Sequence, residues 1–249
     1  MKKKSLILFL GASAAALSAG LPATAFAAEG DIIVTAQRRS ETLKDVPMSV
    51  NVATGDQLES LNLFDTKDIS QLAPGLDITN TTGRNYATTI RGIGFDPDQG
   101  TDPTVQVYWN ETPADAQTVY TALYDIKQIE ILRGPQGLLR GLSSPGGAIT
   151  IATRRPTFDD KIDGRIQVTG TDRSAYNIQG GISIPVSDVF SLRLAGLRDE
   201  NRGNLVRNVT NGDRSKVSTD SARITLGFRP NDDFEAYLDG FSPNVQDIL

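Results

Sequence analysis

The sequence predicts an α+β domain, a small mixed sheet with short helices, followed by a run of antiparallel strands. Three observations carry this reading. Between Val46 and Phe158, short β-prone stretches alternate with two short helical patterns, each bounded by turn residues. After residue 159 the pattern switches to period two, with apolar residues on one parity and polar or cationic residues on the other. The connections between those later strands run short, long, short.

In the first part, Met48 to Ala53 alternates as a strand. Thr54-Gly55-Asp56-Gln57 is a capping box that opens a short helix through Leu58 and Leu61. Asp65 caps a second helix with Ile69 and Leu72 on its apolar side, and Pro74-Gly75 stops it. Thr88 to Ile93, Thr104 to Trp109, Ile129 to Leu132 and Ala148 to Thr153 read as strands, the third ended by Gly134-Pro135. Short helices among short strands fit a mixed sheet.

In the second part, Ile166 and Val168 alternate with Arg165, Gln167 and Thr169. Tyr176, Ile178, Gly180, Ile182, Ile184 and Val186 share one parity. Phe190, Leu192 and Leu194 oppose Ser191 and Arg193, while Ala222, Ile224, Leu226 and Phe228 oppose Arg223, Thr225 and Arg229. Thr171 to Ser174 is a turn, Ser187-Asp188 a tight one, Glu200 to Ser218 a long polar loop, and Pro230 to Asp233 short again. An outer-membrane barrel has this rhythm, with apolar residues toward lipid. A soluble meander with its apolar face on a core has the same strand pattern, so both stay open on pattern alone.

Composition narrows the chemistry. The chain has 249 residues, no Cys and no His, so disulfides, thiol nucleophiles, Ser–His–Asp mechanisms and imidazole–metal sites are excluded. The formal charge of −5 argues against broad capture of nucleic acid. Lys2 to Lys4, the apolar run Leu6 to Leu17 and Ala25-Phe26-Ala27 together read as a secretory signal peptide over residues 1–27. Its apolar core is too short for a membrane anchor. Residues 28–45 follow as a polar segment holding one β-prone pentad, Ile32-Ile33-Val34-Thr35-Ala36. That pentad can add itself as a strand to a partner's sheet edge, or serve as a first strand of the following domain.

Five motifs, taken in order, resemble those of TonB-dependent outer-membrane receptors of the siderophore-receptor kind. Asp31 to Arg39 is similar to the TonB-box region. Ile90-Arg91-Gly92-Ile93-Gly94 is similar to the "IRG" motif of the plug, and Asp102 to Tyr108 to the strand that follows it. Ile129 to Gly137 (IEILRGPQG) resembles the "IEVLRGPQG" block, and Gly146 to Thr153 (GGAITIAT) resembles "GGAINIIT". The resemblance runs from the leader to about Asp239. It implies a plug domain over residues 46–158 and, over 159–249, about five opening strands of a barrel of roughly 22 strands whose lumen the plug fills. The fold class it implies is an α+β plug followed by the first antiparallel strands of an incomplete outer-membrane β-barrel.

The resemblance also implies partners and site residues. Ile32, Ile33, Val34, Thr35 and Ala36 would pair with TonB, and the ligand would be an extracellular one such as a ferric siderophore. The plug motif positions are Arg91, Gly92, Arg133, Gly134, Pro135, Gln136, Gly137, Gly146 and Gly147. No cofactor, catalytic residue or protein-held metal is expected. The sequence departs from the family pattern at Leu138 to Pro145, where "TLYGRNA" is usual, and at Trp109-Asn110-Glu111, where "V-D-G" is common.

Rival readings are weaker. Arg133 to Gly137 lacks the Lys-Ser/Thr of a phosphate loop. Asp96 to Asp102 alternates carboxylates but lacks the bidentate Glu of an EF-hand. Arg91 and Arg133 read equally as solvated side chains or as buried partners of a carboxylate such as Glu130. Asp159-Asp160 and Asp232-Asp233 read as turn formers.

Five strands cannot close a membrane barrel, which needs at least about eight. Alternation fades after Gly240, so the sequence suggests truncation or a frameshift there. The first function class is therefore the N-terminal part of a TonB-dependent transporter in the outer membrane, not transport-competent by itself. The alternative is a freestanding periplasmic plug-like protein that contacts TonB without transporting.

Overall fold

The computed structural model describes residues 32–34, 41–46, 49–61, 63, 66–80, 86–94, 102–120, 123–136, 142–171, 175–201, 209, 212 and 216–248. The expected signal peptide, Thr35 and Ala36, Asp65, Asp96 to Thr101, Gly137 to Gly141 and most of the loop between Asn201 and Lys216 lie outside the described residues. Residues 33–249 form one compact unit.

That unit opens with a two-residue pairing, β1 (Ile33–Val34) against β2 (Glu41–Thr42). β3 (Val50–Thr54) leads directly into α1 (Gly55–Ser60). The capping box forms as the sequence specifies: Gln57 N donates to Thr54 Oγ1, and Thr54 N donates to Gln57 Oε1. α2 (Thr66–Ile69) passes into a 3-10 turn, Ser70–Leu72, and the chain reverses at Pro74-Gly75, where Gly75 has φ 78°. β4 (Leu76–Asn80) pairs with β5 (Tyr86–Ile90). β6 (Val105–Trp109), β7 (Thr112–Ala114), α3 (Ala116–Tyr120), β8 (Ile126–Arg133) and β9 (Gly147–Thr153) complete the domain.

The main sheet has the order β3-β8-β9-β6-β7, with β6 and β9 parallel and the other pairs antiparallel. It is mixed, as expected. The core packs Ile129, Ile131, Ile149 and Ile151 from its centre against Leu58 of α1, Ile69 of α2 and Val119 of α3. These apolar positions recur at period two on the strands, which is why the sheet was legible.

Residues after 159 form a second sheet of five antiparallel strands in chain order: β10 (Asp163–Gly170), β11 (Tyr176–Pro185), β12 (Phe190–Asn201), β13 (Lys216–Asn231) and β14 (Phe234–Ile248). Its burial is inside out. Ile166 is 77% exposed and Leu238 71%, whereas Ser183 is 0% exposed and Arg223 2%. The polar parity packs on the α+β domain and the apolar parity faces away. That removes the meander reading, in which the apolar face would cover a core. Among the described residues no helix is long and apolar enough to cross a membrane, which says nothing of strands.

Two expectations are corrected. The strand read as Thr88 to Ile93 ends at Ile90, because Arg91 and Gly92 turn with φ 54° and 75° and fold Ile93 back onto Ile90. The last strand does not fade after Gly240. β14 continues to Ile248 in unbroken register with β13 from Ala236 onward, Pro243 included, so loss of sequence alternation there does not mark the strand's end. Pro243 sits opposite Ser221, on the chain's last described strand, where one missing N–H is tolerated.

Candidate functional site

The site is the interface between the α+β domain and the inward polar face of the second sheet. Asp125 stands at its centre. It precedes β8 in a left-handed turn, φ 53°, which Asp tolerates better than most side chains. Arg154 N donates to its carbonyl at 3.0 Å and fixes the turn. The carboxylate then points at β12 and β13. Arg193 grips it with two prongs, Nε to Oδ2 at 2.8 Å and Nη2 to Oδ1 at 2.5 Å, while Nη1 donates to Ser183 Oγ at 2.7 Å. Arg223 Nη2 donates to Oδ2 at 2.9 Å and to the Asp125 carbonyl at 3.2 Å.

Arg223 is also enclosed by rings. Its guanidinium carbon lies 4.9 Å from the Tyr124 centroid and 5.6 Å from that of Trp109. Ser221 Oγ donates to Tyr124 Oη at 3.1 Å, and burial pushes the Tyr124 phenol up. Gly181 makes the space: a Cβ there would come within 2.9 Å of both Arg193 Nη2 and Asp125 Oδ1. All three charged groups are buried, so their mutual hydrogen bonds offset a large desolvation cost.

Two further contacts flank this centre. On α1, Asp56 and Glu59 meet Arg154 and Arg165. Arg165 Nη1 lies 3.1 Å from Asp56 Oδ1 and 2.8 Å from Glu59 Oε1. The hydrogen bond from Arg165, reinforced by Arg154, holds the Asp56 carboxyl below the usual carboxylate range. Gly55 lets this helix start close in, since a Cβ would strike Ile126 O at 2.1 Å. On the other flank, Asn110 Nδ2 donates to Thr153 Oγ1 at 3.0 Å and to Asp239 Oδ2 at 3.1 Å, and Thr225 Oγ1 donates to Asp239 Oδ1 at 2.6 Å. The Trp109-Asn110-Glu111 departure is thus a tight hairpin turn. Its two central residues, Asn110 and Glu111, have φ 46° and 69°.

The structure draws three of the sequence motifs together around the join of β8 and β9. Gly134 N donates to Gly146 O at 3.1 Å, and Gln136 N to Ser144 O at 3.2 Å. Arg133 N donates to Ser49 O at 3.2 Å, and Pro135 lies between these contacts. Gly147 has φ 149°, and a Cβ on it would come 2.3 Å from Leu132 O and 2.9 Å from Ile90 Cδ1. Arg91 N donates to Gly75 O at 2.8 Å beside Gly92. These residues shape backbone. Glu130 Oε1 accepts from Gln128 Nε2 at 2.6 Å, and Arg133 and Glu130 lie on opposite faces of β8. Gly137 lies outside the described residues. Of the TonB-box pentad, Ile33 and Val34 form β1, with Val34 fully buried; Thr35 and Ala36 are not described. Among the described residues no group of three or more acidic side chains is arranged to hold a metal.

The sequence carries no local mark for Asp125. Its signal was indirect: Arg193 and Arg223 fall on the buried-side parity of their strands, so each requires a carboxylate from the opposing domain.

The arrangement is an α+β domain held by buried ion pairs on the polar face of an inside-out antiparallel sheet. Residues 42–148 match the family model described as the TonB-dependent Receptor Plug Domain. The pesticin receptor of Yersinia pestis is 29% identical over 190 residues, covering 74% of this chain and 28% of that protein. A vitamin B12 transporter of Vibrio vulnificus is 28% identical over 166 residues, covering 64% of this chain and 27% of that one. The crystal structure of the ferric yersiniabactin uptake receptor from Yersinia pestis superposes with a TM-score of 0.66 at 26% identity, covering 74% and 29%. The chain spans less than a third of the length of each of these relatives. It resembles the N-terminal region, plug and first barrel strands, of TonB-dependent receptors of siderophore-receptor type. That class comprises receptors and transporters, not enzymes.

Proposed function

We propose that this chain is the N-terminal part of a TonB-dependent outer-membrane transporter that takes up a scarce extracellular ligand such as a ferric siderophore. The observation that carries the reading is the inside-out sheet. Its apolar residues, Ile166, Val168, Ile224 and Leu238 among them, are exposed, and its polar residues are spent on the plug. In water that arrangement leaves a broad apolar face uncovered; in a bilayer it is the stable one. The same observation disfavours a freestanding periplasmic plug-like protein.

TonB engages residues Ile32 to Ala36 by strand addition. The reading rests on the β-prone character of the pentad, two residues of which, Ile33 and Val34, are extended as β1. Membrane lipid contacts the apolar face, no cofactor takes part, and nucleic acid is not a partner. The ligand class rests on the relatives, whose names include both a ferric siderophore and vitamin B12.

Two measurements test this. Deleting residues 32–36 should abolish capture by the periplasmic domain of TonB; capture that persists overturns the TonB assignment. Urea-resistant association with outer membranes is expected on fractionation. A soluble periplasmic monomer would overturn the transporter reading in favour of the freestanding one.

A further inference from the structure

We infer that Arg165, Arg193 and Arg223 form a guanidinium arc on the inner wall, occupied at rest by plug carboxylates and met by an anionic ligand once the plug moves. The inference rests on the transporter reading and adds one property of its ligand: it carries carboxylate or comparable anionic groups.

The register places the arc. Arg165 pairs with Gly181, Gly181 with Ala195, and Ala195 with Arg223, so these four share one row across β10 to β13. Arg193 lies in the adjacent inward row, between Ser183 and Thr225. Rows on one face are two residues apart, about 7 Å. The three cations therefore lie within two adjacent rows of the same inward face. Gly181 and Ala195 keep that wall low between them.

Among the described residues, every carboxylate in an ion pair with these guanidiniums belongs to the plug. Asp56 and Glu59 meet Arg165, and Asp125 meets Arg193 and Arg223. Withdrawing the plug strips all three carboxylates at once. Among the described residues of the wall, Ser183 is the one whose side chain hydrogen-bonds Arg193. Two wall acids, Asp163 and Asp239, lie at the ends of Arg193's own row; Asp239 accepts from Thr225 and Asn110 and adds a weaker favourable charge near Arg223, without the direct contact that Asp125 makes.

Buried guanidiniums left without anions are costly. A ligand carboxylate supplies the same two-pronged geometry that Asp125 supplies at rest. The plug acids thus hold the place of the ligand's own charges, and a lumen walled by protein strengthens the attraction. A neutral or cationic ligand would meet no such compensation.

The test is ion selectivity. The outer-membrane protein carrying this sequence is reconstituted in planar bilayers, with urea used to loosen the plug, and the reversal potential is read under a KCl gradient. A chloride preference is expected. Replacing the three arginines by Gln should lower it several-fold, and replacing them by Lys should retain it, because charge rather than shape sets the preference. Arg165→Gln alone, at a partly exposed position, should lower it in part and guards against misfolding of the triple variant. Conductance that favours potassium, or that ignores the Gln substitutions, overturns the inference and leaves the transporter reading intact. Failure to insert or conduct under any condition overturns the transporter reading, and this inference with it.

Discussion

Asp125 is the residue on which the interface turns, because one buried carboxylate answers two buried guanidiniums. Asp125→Asn keeps the size and tolerates the left-handed backbone equally well, so it isolates the charge. Removing it leaves two like charges facing a neutral amide. We expect a loss of about 3–5 kcal/mol in resistance of the plug to denaturant, the range for breaking a buried ion pair. Glu111 offers the opposite case. It holds φ 69° at the second central position of the β6–β7 turn, where glycine costs nothing. Glu111→Gly should stabilise the domain by about 1 kcal/mol, read as a raised denaturation midpoint. The family pattern has Gly at this position, so this strain was visible in the sequence before the turn was. Asp125 was not, because nothing local marks a single Asp as facing a strand nearly 70 residues away.

At the scale of elements, α1 is the clearest success of local reasoning. Thr54, Gln57 and the apolar Leu58 specify its start and its buried side, and all of these are local signals. Its acidic face has a second use that the local pattern does not reveal, since Asp56 and Glu59 reach Arg154 and Arg165 only after the second sheet has packed. The Asp56 carboxyl is held below its ordinary value, so its contribution is complete above about pH 4 and fades as pH falls through the lowered value. Asp56 is 78% exposed, which keeps that contribution small, below about 1 kcal/mol. Acid titration of stability from pH 5 downward should therefore show a slightly shallower loss in Asp56→Asn than in the unsubstituted protein. β14 shows the limit of reading strands by alternation. Its far half is held by backbone bonding to β13, which is indifferent to side-chain parity.

For the whole molecule, the decisive feature is which side of the second sheet is covered. If the exposed apolar face lies in lipid, a charge on it is penalised by about 2–4 kcal/mol near the bilayer midplane. Ile224→Arg should then reduce recovery in outer-membrane fractions, while Thr225→Ser, on the inward face, should not. Equal recovery of both would argue that the face does not contact lipid.

Sequence by itself determined the period of the alternating strands it marked, the capped helix, the turn glycines and the motif order, because each follows from near-neighbour sterics and hydrogen bonding. It also placed Arg165, Arg193 and Arg223 on one parity. Only the tertiary structure decided that this parity faces inward, that Asp125, Asp56 and Glu59 are its partners, and that Glu130 accepts from Gln128. Alternation has no inside or outside until a second layer packs against it. Which face is covered depends on the plug's shape and charge, and those come from residues up to about a hundred positions away.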